Sequence, residues 1–428
     1  MHDPQQLSTV GSVKALLALG RIPLASETPM WTFLGCLLSA QIYRHSLDWL
    51  VVLQCMLVTW GTNISINYGN EYFDYDMDRP GMVESIQRDV KARHKVERDL
   101  KMKEGGHEVD SEQMKEAVKR EFGNEKIMGS TSRIIHDGTF PACAALLCSA
   151  FVQAILLAMI IASRHYSSTS NPIDPLSPTR RHTPFQGLAL QIGGLCTFLS
   201  HSYVGPPFRL HYHGFGELVS ALFLAPVSLV FGMVGHYTAS TGRSVLASDL
   251  LAQSLTTSSS GFYLDEQMWY LLFGFYLFEQ ARIFIMHIHD IPADRAGGKI
   301  TLTVRIGYDW AKQLYVLLNA ISIAFFVLLA QTMLKGQGML MKTSSLSKAQ
   351  FRSTSIVAGL GALAAFSIPI IVITARSLYY HSPSNQSKSR TTSTIPILPH
   401  ADLAKIVSLQ TLLSPVILSV AFLVVPPR

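Results

Sequence analysis

The sequence predicts an all-α, polytopic membrane protein with about nine transmembrane helices packed as a bundle. Three observations predict it. Of the 428 residues, 48% are hydrophobic and only 15% charged, a balance unlike that of soluble domains. Nearly uncharged runs of about twenty residues, the length that crosses a hydrocarbon core, recur along the chain. Charges gather between those runs, so the formal net charge of +6 belongs to loops, where Lys and Arg mark the cytoplasmic side. The basic balance is thus explained by the lipid bilayer and calls for no nucleic acid partner.

In chain order, Lys14–Leu24 sets Lys14 and Arg21 beside apolar residues and reads as an interfacial helix leading in. The spans follow at Pro29–Tyr43, Trp49–Ile66, Phe140–Ala162, Phe185–Tyr203, Leu218–Tyr237, Trp269–Ile288, Ala311–Leu334, Ser355–Thr374 and Ile406–Val425, the first of them short. Between the second and third, Arg79–Lys126 mixes both signs of charge around Gly105-Gly106. It reads as a charged, solvated cytosolic insertion at about 79–130 in an otherwise single domain spanning 1–428. Ser/Thr-rich stretches at Ser167–Thr179, Ser254–Ser260 and Ser382–Thr394 read as flexible loops. All five cysteines lie in apolar stretches without Cys-x-x-Cys spacing, which argues against a disulfide framework and a zinc site. Met1–Ser26 has no signal-peptide pattern, so targeting to an intracellular membrane is expected to reside in the spans.

The chemistry gathers where spans end. The second span runs directly into Asn67-Tyr-Gly-Asn-Glu-Tyr-Phe-Asp-Tyr-Asp-Met-Asp78. As a continuing helix this places Asn70, Asp74 and Asp78 at i, i+4 and i+8, one amide and two carboxylates on one face, with Asp76 off it. Acids at a helix C-terminus are unfavourable unless a cation compensates them. The sixth span ends the same way, in His289-Asp290-Ile-Pro-Ala-Asp294-Arg295. One polar span end is ordinary helix-end solvation; a second pair of acids at another exit points to a site. An even number of crossings separates the two exits, so both clusters face one compartment. The Lys/Arg-dense loop Arg79–Arg133 predicts that this is the cytosol, although Lys335–Arg352 on the opposite side is also basic.

Oxygen-only ligands suit a hard cation, and magnesium is characteristically held by a few carboxylates, waters and a substrate's phosphates. Asp74, Asp78, Asp290 and Asp294 are therefore the candidate catalytic and metal-holding residues, with Asn70 as a further ligand to Mg2+, in an enzyme that handles a diphosphate within the membrane. Arg133, in Ser132-Arg133-Ile-Ile-His-Asp-Gly138, opens the third span on the same side and offers a guanidinium suited to bidentate phosphate contact. Lys299 follows the second cluster and offers another cation, whereas Arg295 and Arg305 also read as topology signals. The compact loop Tyr203–Glu217, turned by its Gly and Pro residues, brings Arg209 and several aromatics toward a cavity on that side. His287 and His289 are read as hydrogen-bonding residues, because hard cations prefer oxygen.

Asn70-x-x-x-Asp74-x-x-x-Asp78, Asp290-x-x-x-Asp294 running into Gly298-Lys299-Ile-Thr-Leu-Thr-Val-Arg305-Ile-Gly307, and the array of spans together resemble the UbiA superfamily of intramembrane prenyltransferases. Within it, Asn-Glu-Tyr-Phe-Asp-Tyr and Pro-Pro-Phe-Arg-Leu-x-Tyr-x-Gly-Phe-Gly-Glu are similar to the 1,4-dihydroxy-2-naphthoate polyprenyltransferase branch, which includes the animal menaquinone-4-forming enzymes. The resemblance implies a bundle around a central cavity, with two magnesium ions bridging the aspartate clusters to an isoprenyl diphosphate. It also implies an aromatic, naphthoate- or quinone-precursor-like acceptor. The resemblance carries over Asn70, Asp74, Asp78, Asp290 and Asp294, and Arg21 as matching a family arginine before the first span; with Arg133, Lys299 and Arg209, read from the residues themselves, Asn70 and Arg21 form the candidate diphosphate-binding set. The chain departs from the branch at Glu71, where Asp is usual, at His287 and His289, often Asn and Arg, and at His211, often Lys. These departures bear on the acceptor and leave the ionisation machinery in place. Haem farnesylation and the prenyl transfer or cyclisation of specialised metabolism share the fold. A cation-coupled transporter, from a different class, also carries buried acids, but places them near the midplane on broken helices and not at span ends.

Overall fold

Every span expected from hydropathy falls on a helix of the computed structural model, which describes residues 9–76, 135, 140–169, 183–252, 258–340, 346–380 and 400–423. Two short helices, α1 (Thr9–Leu19) and α2 (Ile22–Ala25), lead into α3 (Glu27–Ile42) and α4 (Trp49–Phe73). There follow α5 (Ala142–Thr169), α6 (Gly187–Ser202), α7 (Gly216–Thr241), the single turn α8 (Ala247–Leu250) and α9 (Glu266–Ala296). The chain then forms α10 (Leu302–Leu340), α11 (Leu346–Tyr380) and α12 (His400–Leu423), and no strand occurs among the described residues. The expected insertion at 79–130, with Asp78 and Arg133, lies outside the described residues.

Among the described residues, seven helices are long and apolar enough to cross a membrane: α4, α5, α7, α9, α10, α11 and α12. Helices α3 and α6, of 16 residues each, are about 24 Å long and stand where the two remaining spans were expected. The chain is an all-α, multi-pass membrane protein. Its outward faces are apolar, as lipid solvation requires: Leu147 and Phe151 of α5 are each 68% exposed. Helix α9 is the central element, with 72% of its apolar window buried against 22% for α5 and for α10.

Local chemistry sets the helix starts. Asp48 caps α4 by accepting the Leu50 and Val51 N–H groups at 2.9 and 3.4 Å, and Asp265 caps α9 by accepting the Met268 N–H at 2.9 Å. The single interfacial helix expected over Lys14–Leu24 is instead broken between α1 and α2 at Arg21, whose φ of 47° is left-handed.

Packing closes the bundle. Helix α3 lies against α4, α7 and α12, so the last helix returns to the first long one, and Gln41 Nε2 donates to the Phe422 carbonyl at 3.1 Å. Trp31 of α3 meets Phe275 of α9 with ring centroids 4.4 Å apart. The closest approach is between α3 and α7: a Cβ on Gly35 would stand 2.0 Å from the Leu229 carbonyl oxygen, and one on Gly232 would stand 2.1 Å from that of Thr32. Backbone-to-backbone contact of this kind requires residues without side chains. Gly35→Val should therefore lower stability by roughly 1–3 kcal/mol, read as an earlier thermal transition of the purified protein in detergent. Gly194→Ala, whose Cβ meets nothing within 4 Å, should cause no loss.

Candidate active site

Two helix ends build the site. Helix α4 stops at Phe73, and Asp74 caps it with its N–H bonded to the Asn70 carbonyl at 2.9 Å. Beyond this turn the chain is helical again at Tyr75 and Asp76, the last described residues of the segment, and the Phe73 carbonyl faces the Tyr212 hydroxyl at 3.5 Å. Asn70 and Asp74 nevertheless stay on one wall. At the other end, Asp290 and Asp294 occupy the last turns of α9, each only 7% exposed. That helix is closed by Gly298 in the left-handed region, at φ 75°. The Lys299 N–H returns to the Asp294 carbonyl at 2.8 Å and the Gly298 N–H to that of Arg295 at 3.3 Å, the paired bonds of a Schellman closure. This turn folds Lys299 back over the helix end, and its Nζ lies 3.0 Å from Asp74 Oδ2. Tyr212 donates its hydroxyl to the other Asp74 oxygen, and its ring lies 5.7 Å from the Lys299 ammonium.

Asn70, Asp74, Asp290, Asp294, Lys299 and Arg21 all line one cavity of about 220 Å³. Arg21 reaches it because α4 holds the chain around it: Asn67 Nδ2 donates to the Gly20 carbonyl and the Tyr68 hydroxyl to that of Leu16, both at 3.0 Å. Its guanidinium lies 3.1 Å from Glu71 Oε1. Arg209 is placed differently from the expectation. It is exposed, stands outside the cavity wall, and lies over the Tyr212 ring at 5.9 Å, because its left-handed φ of 44° directs the tight loop past the opening. Asp78 and Arg133 lie outside the described residues, as does the side chain of His289.

Behind the aspartates, His287 Nδ1 lies 3.2 Å from Glu217 Oε1, which also accepts the Thr303 N–H at 3.2 Å. The two form an ion-pair contact, and His287 Nδ1 makes no hydrogen bond among the described residues. His211 lines the cavity, 3.1 Å from the Tyr203 hydroxyl. Burial pushes its imidazole down to about 4, so it is neutral at physiological pH. Burial also raises the Asp294 carboxyl above its ordinary value, against the opposing pull of His287 and Lys299.

Sequence reasoning missed a second group of charges deeper in the wall. Arg282 Nη2 is 3.1 Å from Glu27 Oε2, and Arg282 Nε is 2.7 Å from Glu279 Oε1. Glu279 and Arg282, three apart inside an apolar run, were the available signal. Nothing in the sequence indicated their partner on α3.

The oxygen donors suit a hard divalent cation. Asn70 Oδ1 is buried with no hydrogen-bond partner among the described residues, in the cavity that Asp74, Asp290 and Asp294 also line. Among the described residues no three His, Cys, Asp or Glu side chains stand close enough to hold one ion unaided. One or two protein ligands supplemented by substrate phosphates is the coordination magnesium commonly takes.

These observations define a multi-pass helical membrane protein whose carboxylate-lined cavity lies at the end of two spans. No protein-family profile matches the chain. It is similar to a 2-carboxy-1,4-naphthoquinone phytyltransferase of Synechocystis sp., with 28% identity over 128 residues, covering 30% of this chain and 34% of that protein. The chain thus matches about a third of the length of this curated relative. The match agrees with the prenyltransferase resemblance carried by the acidic motifs. The apo structure of a UbiA homolog from Aeropyrum pernix K1 aligns with 94% of this chain and 98% of its own at 13% identity and a TM-score of 0.49. A structure of digeranylgeranylglyceryl phosphate synthase aligns with 96% and 98% at 13% identity and a TM-score of 0.42. At these scores neither likeness bears on the reaction.

Lys299→Met leaves Asp74 without its cation in a largely buried setting. It should lower stability by roughly 3 kcal/mol, visible as a lower unfolding midpoint at pH 7. An unchanged midpoint would show that the pair carries no weight.

Proposed function

We propose that this chain is a UbiA-type intramembrane prenyltransferase, which moves an isoprenyl group from a prenyl diphosphate to an aromatic, quinone-precursor-like acceptor with the help of Mg2+. The observation that carries the reading is that Asp74 at the end of one helix and the pair Asp290 and Asp294 at the end of another, far apart in the sequence, line one cavity together with Asn70, Lys299 and Arg21. A concave site with acids, cations and apolar walls suits a ligand with a charged head and a hydrocarbon tail. The partial match to a naphthoquinone phytyltransferase supports a naphthoate-like or quinone-like acceptor. The Lys/Arg-dense segment following the first cluster supports a cytosolic opening.

Asn70, Asp74, Asp290 and Asp294, together with Asp78, would hold the magnesium, which when bound supplies Lewis-acid neutralisation of the diphosphate leaving group. Lys299 and Arg21 stand ready at the same wall, each held by a carboxylate, and donate to phosphate oxygens as negative charge grows there. The allylic carbon–oxygen bond breaks with its electron pair departing on the diphosphate. A ring carbon of the acceptor then bonds to the allylic carbon, and the ring gives up one proton. Val58, Leu199 and Phe231 line the cavity, and an apolar wall excludes the water that would capture the allylic cation.

Membranes containing the protein, supplied with a prenyl diphosphate, a dihydroxynaphthalene acceptor and Mg2+, should yield a prenylated product by mass spectrometry. Asp74→Asn and Asp290→Asn should each lower turnover about 100-fold or more, and near-wild-type turnover by either contradicts the assigned roles. Chelation with EDTA should stop the reaction, and added Mg2+ should restore it.

A further inference from the structure

The cavity has a second polar end. Arg282 precedes Asp290 by eight residues on α9 and therefore stands about 12 Å further along that helix, within the membrane-crossing segment Glu266–Ile288. Glu27, Arg282 and Glu279 are 3%, 4% and 0% exposed. Arg282 contacts both carboxylates, so two acids share one guanidinium where uncompensated charge is expensive. Glu279 Oε2 is buried with no hydrogen-bond partner among the described residues. Glu27 and Arg282 face the cavity, and Glu279 lies behind them. The Arg282 guanidinium is committed to the two acids and to Met286 Sδ, 3.0 Å from Nη1. Glu27 Oε1, by contrast, accepts the Trp31 indole N–H at 3.5 Å, the outer limit of a hydrogen bond. Spare acceptor capacity therefore faces the cavity at Glu27, beside Thr28 and Asn63.

Resting on the prenyltransferase reading, we propose that Glu27 accepts a hydrogen bond from a ring hydroxyl of the aromatic acceptor. At this end the cavity favours a ring hydroxyl over its alkyl ether. A hydroxyl supplies the donor that a buried acceptor requires. An ether or a hydrocarbon tail brings no donor and leaves Glu27 unsatisfied. The interval of about 12 Å along α9 accommodates a diphosphate at the aspartates and an aromatic ring beyond it. Glu27 is thus a specificity-determining residue fixing which edge of the ring is turned away from the diphosphate.

The test uses the full chain in nanodiscs, with binding of 1-naphthol and 1-methoxynaphthalene measured by quenching of Trp fluorescence. Wild-type protein should bind 1-naphthol at least about 10-fold more tightly than its methyl ether, the size expected of one hydrogen bond to a buried acceptor. Glu27→Met should abolish that preference while keeping Mg2+-dependent binding of geranyl thiolodiphosphate, which also reports that the variant is folded. Equal or absent binding of 1-naphthol and its methyl ether by the wild type overturns the proposal whatever the variant does. So does an unchanged preference in folded Glu27→Met. Failure of the wild type to bind geranyl thiolodiphosphate would instead count against the prenyltransferase reading, so the two failures are distinguishable.

Discussion

The structure depends on one constraint: a carboxylate in an apolar bundle has to meet a cation or a donor, and here the partner comes from a distant part of the chain. Asp74 meets Lys299 across 225 residues, Glu71 meets Arg21 across 50, and Glu217 meets His287 and the Thr303 N–H. Glu27 of α3 meets Arg282 of α9. Each pair ties two helices at the cavity wall, so the charges that make the site also cross-link the bundle that surrounds it. Lipid cannot compensate such groups, which is why they gather inward while Leu147 and Phe151 face out.

Much of this was legible in the sequence, for physical reasons. Hydropathy located the helices because the bilayer fixes both their length and their composition. The i, i+4 spacing located the acids because α9 continues as a helix past Asp294, and Gly298 then closes it in the one backbone region open to glycine at little cost. The approach of Lys299 to Asp74 could not be read, since it depends on that closure and on the position of α4. Arg209 was expected at the cavity because its compact loop follows a span on the same side, but it lies outside the cavity wall and over the face of Tyr212. Arg282 lay unremarked in an apolar run, because its partner Glu27 is adjacent only after α3 and α9 pack through Trp31 and Phe275.

The cavity therefore has a direction. Its mouth carries acids and cations suited to a metal-bound diphosphate, its middle is apolar, and its far wall carries an acid with acceptor capacity to spare. Close backbone packing at Gly35 and Gly232 fixes that far wall against α7, and Trp31 against Phe275 seats it on α9, so the spacing between the two ends is set by the fold itself.

The central claim is that the carboxylates of α4 and α9 act on one and the same diphosphate. A double-mutant cycle tests it most directly: Mg2+-dependent affinity for geranyl thiolodiphosphate, measured for wild type, Asp74→Asn, Asp290→Asn and the double variant. If both acids serve one ligand, the two losses are coupled by about 1 kcal/mol or more. Losses that simply add, within about 0.5 kcal/mol, would mean that the two clusters act independently, and the account would be wrong.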